Sequence, residues 1–155
     1  MSPYAHAARP YRQMPRWAVR FLSVLSIGGF WSWFLLKFLL PSPSGALEMM
    51  VGLLALVAFG ATIPLMLSTY AFRANAPDEQ IDERERAERY RAYYWTLLYL
   101  LTGVLIAFIA VDAKRLAPLL SMAVVSNLLQ VLFLTTLALP TAILAWRDRT
   151  TSDEE

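Results

Sequence analysis

The sequence predicts an all-α fold, a four-helix transmembrane bundle. Hydrophobic residues make up 57% of the 155 positions and charged residues only 17%, which is too apolar for a soluble domain of this size. The apolar residues fall into four long blocks, at residues 17–40, 49–72, 93–111 and 118–146. Because about 20 apolar residues in a helix span the hydrocarbon layer of a bilayer, each block is a candidate membrane span. We expect residues 17–146 to form one transmembrane domain whose four spans are surrounded by the lipid bilayer.

The four blocks differ in how clearly they predict a span. The first has Arg20 near its start and Lys37 near its end, and both long side chains can extend outward to the lipid headgroups. The second has no charged residue and is the clearest span. The third follows an arginine-rich segment and ends at Asp112. The fourth begins near Pro118, and its length implies a tilted helix or a start below the interface.

The first block has a second interpretation, as a cleavable signal peptide. A basic N-terminal region, an apolar run and the small residues Ser44, Gly45 and Ala46 imitate such a segment. The apolar run is longer than the usual signal-peptide core and contains Lys37, which favours an uncleaved membrane anchor.

The distribution of arginine predicts the orientation, because positive charge beside span ends is retained on the cytoplasmic side. Arginines cluster in the N-terminal tail (1–16), in the loop between the second and third spans, and in the C-terminal tail (147–155). The connection around residues 41–46 has no charge, although Lys114 and Arg115 are a minor exception in the last connection. We therefore expect both termini and the central loop in the cytoplasm.

This orientation predicts the labelling of single cysteines, since the natural chain has no cysteine. In intact cells, a Ser44→Cys variant is expected to react with a membrane-impermeant maleimide. A Glu79→Cys variant is expected to react only after the membrane is permeabilised. The reverse pattern would overturn the orientation.

The central loop, residues 75–91, is the most distinctive polar segment and is predicted to be a helix that continues into the third span. Asn75 is the expected N-cap, with Pro77 and Asp78 in the first turn. Acid precedes base by four residues at Asp82 with Arg86 and at Glu85 with Arg89, the favourable order for helical ion pairs. No proline or glycine then interrupts the chain before Gly103.

Residues 78–94 contain Asp-Glu-Arg at 82–84, followed by alternating acid and base. They resemble a charged Asp-Glu-Arg juxtamembrane element of small uncharacterised bacterial multi-pass membrane proteins. The resemblance implies a protein of a bacterial cytoplasmic (inner) membrane and no particular activity. Arg84, Arg86 and Arg89 are the candidate residues for binding a cytoplasmic partner. The alternative is a solvated helix held by ion pairs that are each worth a few tenths of a kcal/mol.

Two similar hairpins are a further hypothesis. The first two spans and the last two have similar lengths, and Pro64 and Pro140 both lie late in the returning span. Two tandem α-hairpins would explain this, but any four-span protein with short outer loops gives matched hairpins. Proline is also common in membrane helices.

Polar groups within the spans are few. Glu48 lies near the predicted outer boundary, where it can act as an interfacial anchor, pair with Lys37 or couple proton transport. Asn127 and Gln130 share one helix face and can bridge helices or contact a substrate. Close helix packing is expected at three small-residue pairs: Gly28 with Ser32, Gly103 with Ala107, and Ala138 with Ala142.

The sequence predicts no enzymatic activity and no cofactor. It has no cysteine and one histidine, His6, and it lacks nucleotide-binding, zinc-protease and serine-nucleophile motifs. The net charge of +2 comes from residues beside the apolar blocks, which does not indicate a nucleic-acid partner. The leading hypothesis is a small accessory or regulatory membrane protein that binds another membrane protein or its own copies. The alternative is a small oligomeric transporter or channel, with Asn127, Gln130 and Glu48 facing a cavity.

Overall fold

The structure, a computed structural model, describes residues 13–40, 45–112 and 122–147. Within these ranges the elements are α1 (Arg16–Leu39), α2 (Gly45–Met66), α3 (Thr69–Asn75), a 3-10 turn (Asp78–Gln80), α4 (Glu83–Asp112) and α5 (Met122–Arg147). Four of them, α1, α2, α4 and α5, are long and apolar enough to cross a membrane. The predicted all-α bundle of four spans is therefore confirmed, and the chain is an integral membrane protein.

The four long helices pack in the order α2, α1, α5, α4. Helix α1 packs extensively against α2 and α5, whereas α4 packs mainly against α5. Half of the most apolar stretch of α5 is buried, compared with 17% of that of α4. Helix α5 is thus central, and α4 lies at the edge of the bundle.

The second apolar block forms two helices, so the prediction of one span through residues 49–72 is wrong. Helix α2 ends at Met66, two residues after Pro64. Pro64 does not by itself explain this end, because proline weakens the turn before it and α5 continues past Pro140. The N–H of Leu67 bonds to the carbonyls of both Ile63 and Pro64, at 3.2 Å each, and this tightens the last turn.

Ser68 starts the next helix. Its buried hydroxyl accepts the N–H of Ala71 at 3.3 Å and donates to the carbonyl of Leu65 at 2.7 Å, so one side chain satisfies both helix ends. Helix α3 then packs against α5 through buried Tyr70 and Ala74. This short helix carries the chain from the α2 span to the charged segment.

The two returning spans therefore differ in structure. The chain breaks just after Pro64, but α5 continues past Pro140 to Arg147. Each hairpin has helices that pack on one another, α1 with α2 and α4 with α5. The correspondence of the two prolines, on which the hypothesis of a repeat rested, does not extend to the helix geometry.

Helices α1 and α2 approach each other closely at Gly29, next to the predicted Gly28. A Cβ atom added to Gly29 would lie 2.8 Å from the Cβ of Ala58, whereas one on Gly28 would meet nothing within 4 Å. The hydroxyls of Ser26 and Thr62 bond at 2.6 Å across the same interface. The expectation of close packing at Gly28 is therefore wrong by one position, because about 100° of helix rotation separates neighbouring residues.

The other two small-residue pairs lie at helix contacts, as expected. A Cβ atom on Gly103 would lie 2.6 Å from the Cδ2 of Leu132, so α4 approaches α5 closely there. Ala107, Ala138 and Ala142 are all buried. Small side chains at these positions let the helix backbones come together, which is the main source of packing energy between helices in lipid.

Candidate functional site

Helix α4 begins inside the charged segment, and its N-cap lies seven residues after the predicted N-cap Asn75. Asp82 provides the cap, since its side chain accepts the N–H of Glu85 at 2.6 Å. Asn75 is the last residue of α3, and its side-chain amide donates to the carbonyl of Ala71 at 2.8 Å. The predicted N-cap is therefore wrong.

The continuity of the third span is confirmed, because α4 runs unbroken from Glu83 to Asp112. At about 1.5 Å per residue, its 30 residues exceed the roughly 30 Å hydrocarbon layer by about one half. The charged first turns of α4 therefore extend beyond the apolar part of the span. This places the arginine-rich segment on a rigid helix.

The connection before α4 is organised around Asp78. Its carboxylate accepts hydrogen bonds from the guanidinium of Arg89 and from the hydroxyl of Tyr90, the latter at 2.9 Å. Its main-chain carbonyl accepts from Arg86 at 2.7 Å, and Arg89 also donates to the carbonyl of Ala76. We call these five residues the Asp78 junction. It fastens the chain between α3 and α4 to the first two turns of α4.

The two predicted helical ion pairs are wrong. Arg86 and Arg89 both bond to Asp78 in place of Asp82 and Glu85. Glu85 instead pairs with Arg73 of α3 at 3.1 Å. The chain reversal at residues 76–82 brings these groups together, and a pattern of four-residue spacings does not contain that information.

The three arginines predicted to bind a partner have different surroundings. Arg89 is only 8% exposed, and its guanidinium also stacks on Tyr90 with 5.4 Å between the guanidinium carbon and the ring centroid. Arg86 is partly buried. The side chain of Arg84 is 79% exposed and forms a 3.4 Å pair with Glu88. Of the three, Arg84 is the one that presents its charge to the surroundings.

The polar residues predicted within the spans do not meet at one cavity. Glu48 is exposed in the first turn of α2, and no ion pair joins it to Lys37. Asn127 is partly buried in α5, and Gln130 is exposed. Gln130 borders a groove of about 290 Å³ between α1, α2 and α5, whose other lining residues are apolar: Phe30, Trp33, Ala55, Phe59, Phe133 and Leu134.

A second arginine contact joins α1 to the end of α5. The Nε of Arg20 donates to the carbonyl of Ala145 at 3.0 Å, and its guanidinium carbon lies 5.2 Å from the ring centroid of Trp146. A cation at a helix C-terminus is favourable because the last carbonyls carry partial negative charge. The side chain of Arg20, which was predicted to extend outward to the headgroups, thus donates to a specific main-chain carbonyl, that of Ala145.

Sequence patterns did not identify Asp78 as the central acceptor or Gly29 as the contact glycine. A weak signal exists for Asp78, since it follows Pro77 at a break in the helical pattern. An acidic side chain in such a turn can accept hydrogen bonds from the helix that follows. For Gly29 the sequence offers no signal that separates it from Gly28.

Comparison with known proteins adds no family to these observations: no family model, curated protein or solved structure matches the chain. The packing of the helices and the chemistry of the described residues are therefore the basis for a function.

Proposed function

We propose that this integral membrane protein is an accessory or regulatory subunit that binds another membrane protein through the side of α4 that faces away from α5. The observation that carries the proposal is the position of α4 at the edge of the bundle. It packs mainly on α5, with a hydrogen bond from Trp31 of α1 to the hydroxyl of Tyr99 at 3.1 Å. The buried share of its most apolar stretch is 17%, compared with 22% for α1 and for α2. A helix with this much free surface is suited to packing within a larger assembly.

The two sides of α4 have different side chains. Thr96, Gly103 and Ala107 are small and lie on the side of the helix that faces α5. Leu101, Leu105 and Phe108 lie on the opposite side, and they are 57%, 57% and 71% exposed. We call these three residues the outer face of α4. The contrast supports packing against α5 on one side and against lipid or a partner helix on the other.

The charged extension of α4 supports the same proposal. The Asp78 junction holds the first two turns of α4 in place, so the exposed guanidinium of Arg84 has a defined position relative to the outer face. An accessory subunit would thus offer an apolar surface within the membrane and a charged one beside it. We further propose that this charged end, with both termini, lies in the cytoplasm.

The alternative of an oligomeric transporter has less support. It requires Glu48, Asn127 and Gln130 to face one pathway, and among these three Gln130 alone borders the groove between α1, α2 and α5. That groove is apolar along its walls, which suits lipid or a helix better than a hydrated substrate. A homo-oligomer remains a distinct outcome of the experiment below.

Site-specific photo-crosslinking in cells tests the proposal. A photoreactive phenylalanine analogue placed at position 101, 105 or 108 is expected to give a discrete adduct with a different membrane protein. Matched control positions are Leu56 and Ile63, which are 70% and 63% exposed on α2. The controls are expected to give lipid adducts alone.

Three results would contradict the accessory role. Lipid adducts alone at every α4 position would show that the outer face is simply lipid-exposed. Adducts only with a second copy of this chain would favour the oligomeric alternative. Equal yields from α2 and α4 would show that the contact has no preference for α4.

The same adduct provides a test of the charged extension. Arg84→Glu is expected to lower the yield of the crosslinked adduct. Glu79→Lys, in the turn before α4, is the control for altered charge and is expected to leave the yield unchanged. Arg84 is the suitable arginine because Arg86 and Arg89 also maintain the junction. An unchanged yield with Arg84→Glu would remove this arginine from the binding surface.

A further inference from the structure

A second groove lies between α1 and α5, and it is distinct from the groove beside Gln130. Its volume is about 450 Å³. Val24, Ile27 and Gly28 form the α1 wall, and Leu139, Ala142 and Ile143 form the α5 wall. Ser23 also lines it, but its hydroxyl is buried and donates to the carbonyl of Val19 at 2.7 Å. The walls therefore present hydrocarbon to whatever fills the groove.

Gly28 keeps this groove open. It is exposed, and a Cβ atom built on it would meet nothing within 4 Å. A larger side chain at this position would extend into the space that the groove occupies. From residue 139 to residue 147 the α5 wall is about 12 Å long, which is enough for a substantial part of a lipid acyl chain.

The end of the groove at residue 147 is cationic. Trp146 and Arg147 line this end, and the guanidinium of Arg20 stacks on Trp146. The Nε of Arg20 donates to the carbonyl of Ala145, which orients the guanidinium. Its two Nη nitrogens have no hydrogen-bond acceptor in the described part of the chain. Arg147 is exposed and has no acidic partner among the described residues.

We infer that this groove binds one anionic phospholipid. An acyl chain lies between Val24, Gly28 and Ile143, and the headgroup phosphate is held by Arg20 and Arg147. The occupant follows from the combination of chemistries. An apolar groove that ends at Arg147, beside the Arg20 guanidinium stacked on Trp146, matches a molecule with a hydrocarbon chain and a phosphate. Arginine binds phosphate through paired N–H donors. Basic pockets between transmembrane helices on the cytoplasmic side recognise anionic headgroups in the same way.

The inference is independent of the proposed accessory role, because the groove lies on α1 and α5 and the proposed partner surface lies on α4. Loss of lipid binding would leave the crosslinks from positions 101, 105 and 108 in place. Failure of those crosslinks would equally leave the lipid site untouched. The two proposals can therefore be judged separately.

Native mass spectrometry of the full-length protein, delipidated in detergent, tests the site. Phosphatidylglycerol and phosphatidylcholine with identical acyl chains are the probes. One phosphatidylglycerol is expected to bind at concentrations where phosphatidylcholine does not. Arg147→Ala is expected to weaken phosphatidylglycerol binding about fivefold, the factor for roughly 1 kcal/mol per arginine near an anionic lipid surface, and to leave phosphatidylcholine binding unchanged.

Gly28→Leu is expected to fill the groove and abolish retention of phosphatidylglycerol. Gly52→Leu is the matched control, because Gly52 is likewise exposed with nothing within 4 Å but lies on α2. A large excess of inorganic phosphate is expected not to displace the lipid, since most of the contact is with the acyl chain. Equal binding of the two lipids, full retention by Gly28→Leu, or displacement by phosphate would each overturn the inference. If Gly28→Leu fails to fold, the result with Arg147→Ala decides.

Discussion

Replacing Asp78 with alanine is expected to lower the free energy of unfolding by about 2 to 3 kcal/mol. The change leaves the guanidinium of Arg89, which is only 8% exposed, without its counter-ion, and breaking a buried pair from one side costs about 3 to 5 kcal/mol. The loss expected here is smaller than that because the side chain of Asp78 is itself 45% exposed and partly screened by solvent. Unfolding by sodium dodecyl sulfate in mixed micelles, followed by circular dichroism, measures the difference.

Two variants separate this effect from a general disturbance of the turn. Glu79 is exposed in the same 3-10 turn, and Glu79→Ala is expected to change stability by less than about 0.5 kcal/mol. Adding Arg89→Met to Asp78→Ala removes the buried charge altogether and is expected to restore much of the loss. Equal effects of Asp78→Ala and Glu79→Ala would show that the junction is not held by this ion pair.

Gly29→Ala is expected to destabilise the protein by about 2 kcal/mol, within the range for overpacking a close-packed interface. The new Cβ would lie 2.8 Å from the Cβ of Ala58, and neither atom can move by changing a side-chain rotamer. Helices α1 and α2 would have to separate, which would also lengthen the 2.6 Å bond between Ser26 and Thr62. The same detergent titration applies.

Gly28→Ala is the control for Gly29→Ala, because the two glycines are adjacent in one helix and differ only in what they face. Gly28 has open space around it, so alanine there is expected to be neutral or to stabilise the helix by up to about 1 kcal/mol. Combining Gly29→Ala with Ala58→Gly is expected to recover stability by exchanging the two sides of the contact. If Gly28→Ala and Gly29→Ala behaved alike, the close approach at Gly29 would be refuted.

Hydropathy was sufficient to predict the fold class and the number of spans. The uncharged block at 49–72 covers most of α2, and the block at 93–111 covers most of the apolar part of α4. The prediction erred at Leu67 and Ser68, where an interruption of the helix divides the second block into α2 and α3. Average hydropathy is insensitive to such a break, because the residues on both sides of it are apolar.

The polar sites were harder to predict than the spans. Four-residue spacing suggested that Arg86 and Arg89 have acidic partners within their own helix, but both bond to Asp78 across a chain reversal. Asn127 and Gln130 share a face in the sequence pattern, yet Gln130 borders the apolar groove and Asn127 is not among its lining residues. Helical periodicity gives the direction of a side chain but not the neighbour that it meets.

The sequence by itself determined that the chain enters a membrane as four apolar helices with arginine concentrated beside particular span ends. These properties are sums over about 20 residues and do not depend on which helices become neighbours. Only the tertiary structure decided that α4 lies at the edge, that Gly29 rather than Gly28 meets α2, and that Asp78 accepts from Arg89. Each of these depends on how a helix is rotated about its axis and on which element packs beside it. A helix in lipid that is apolar on every side can adopt many rotations at similar free energy, so its sequence alone does not select one.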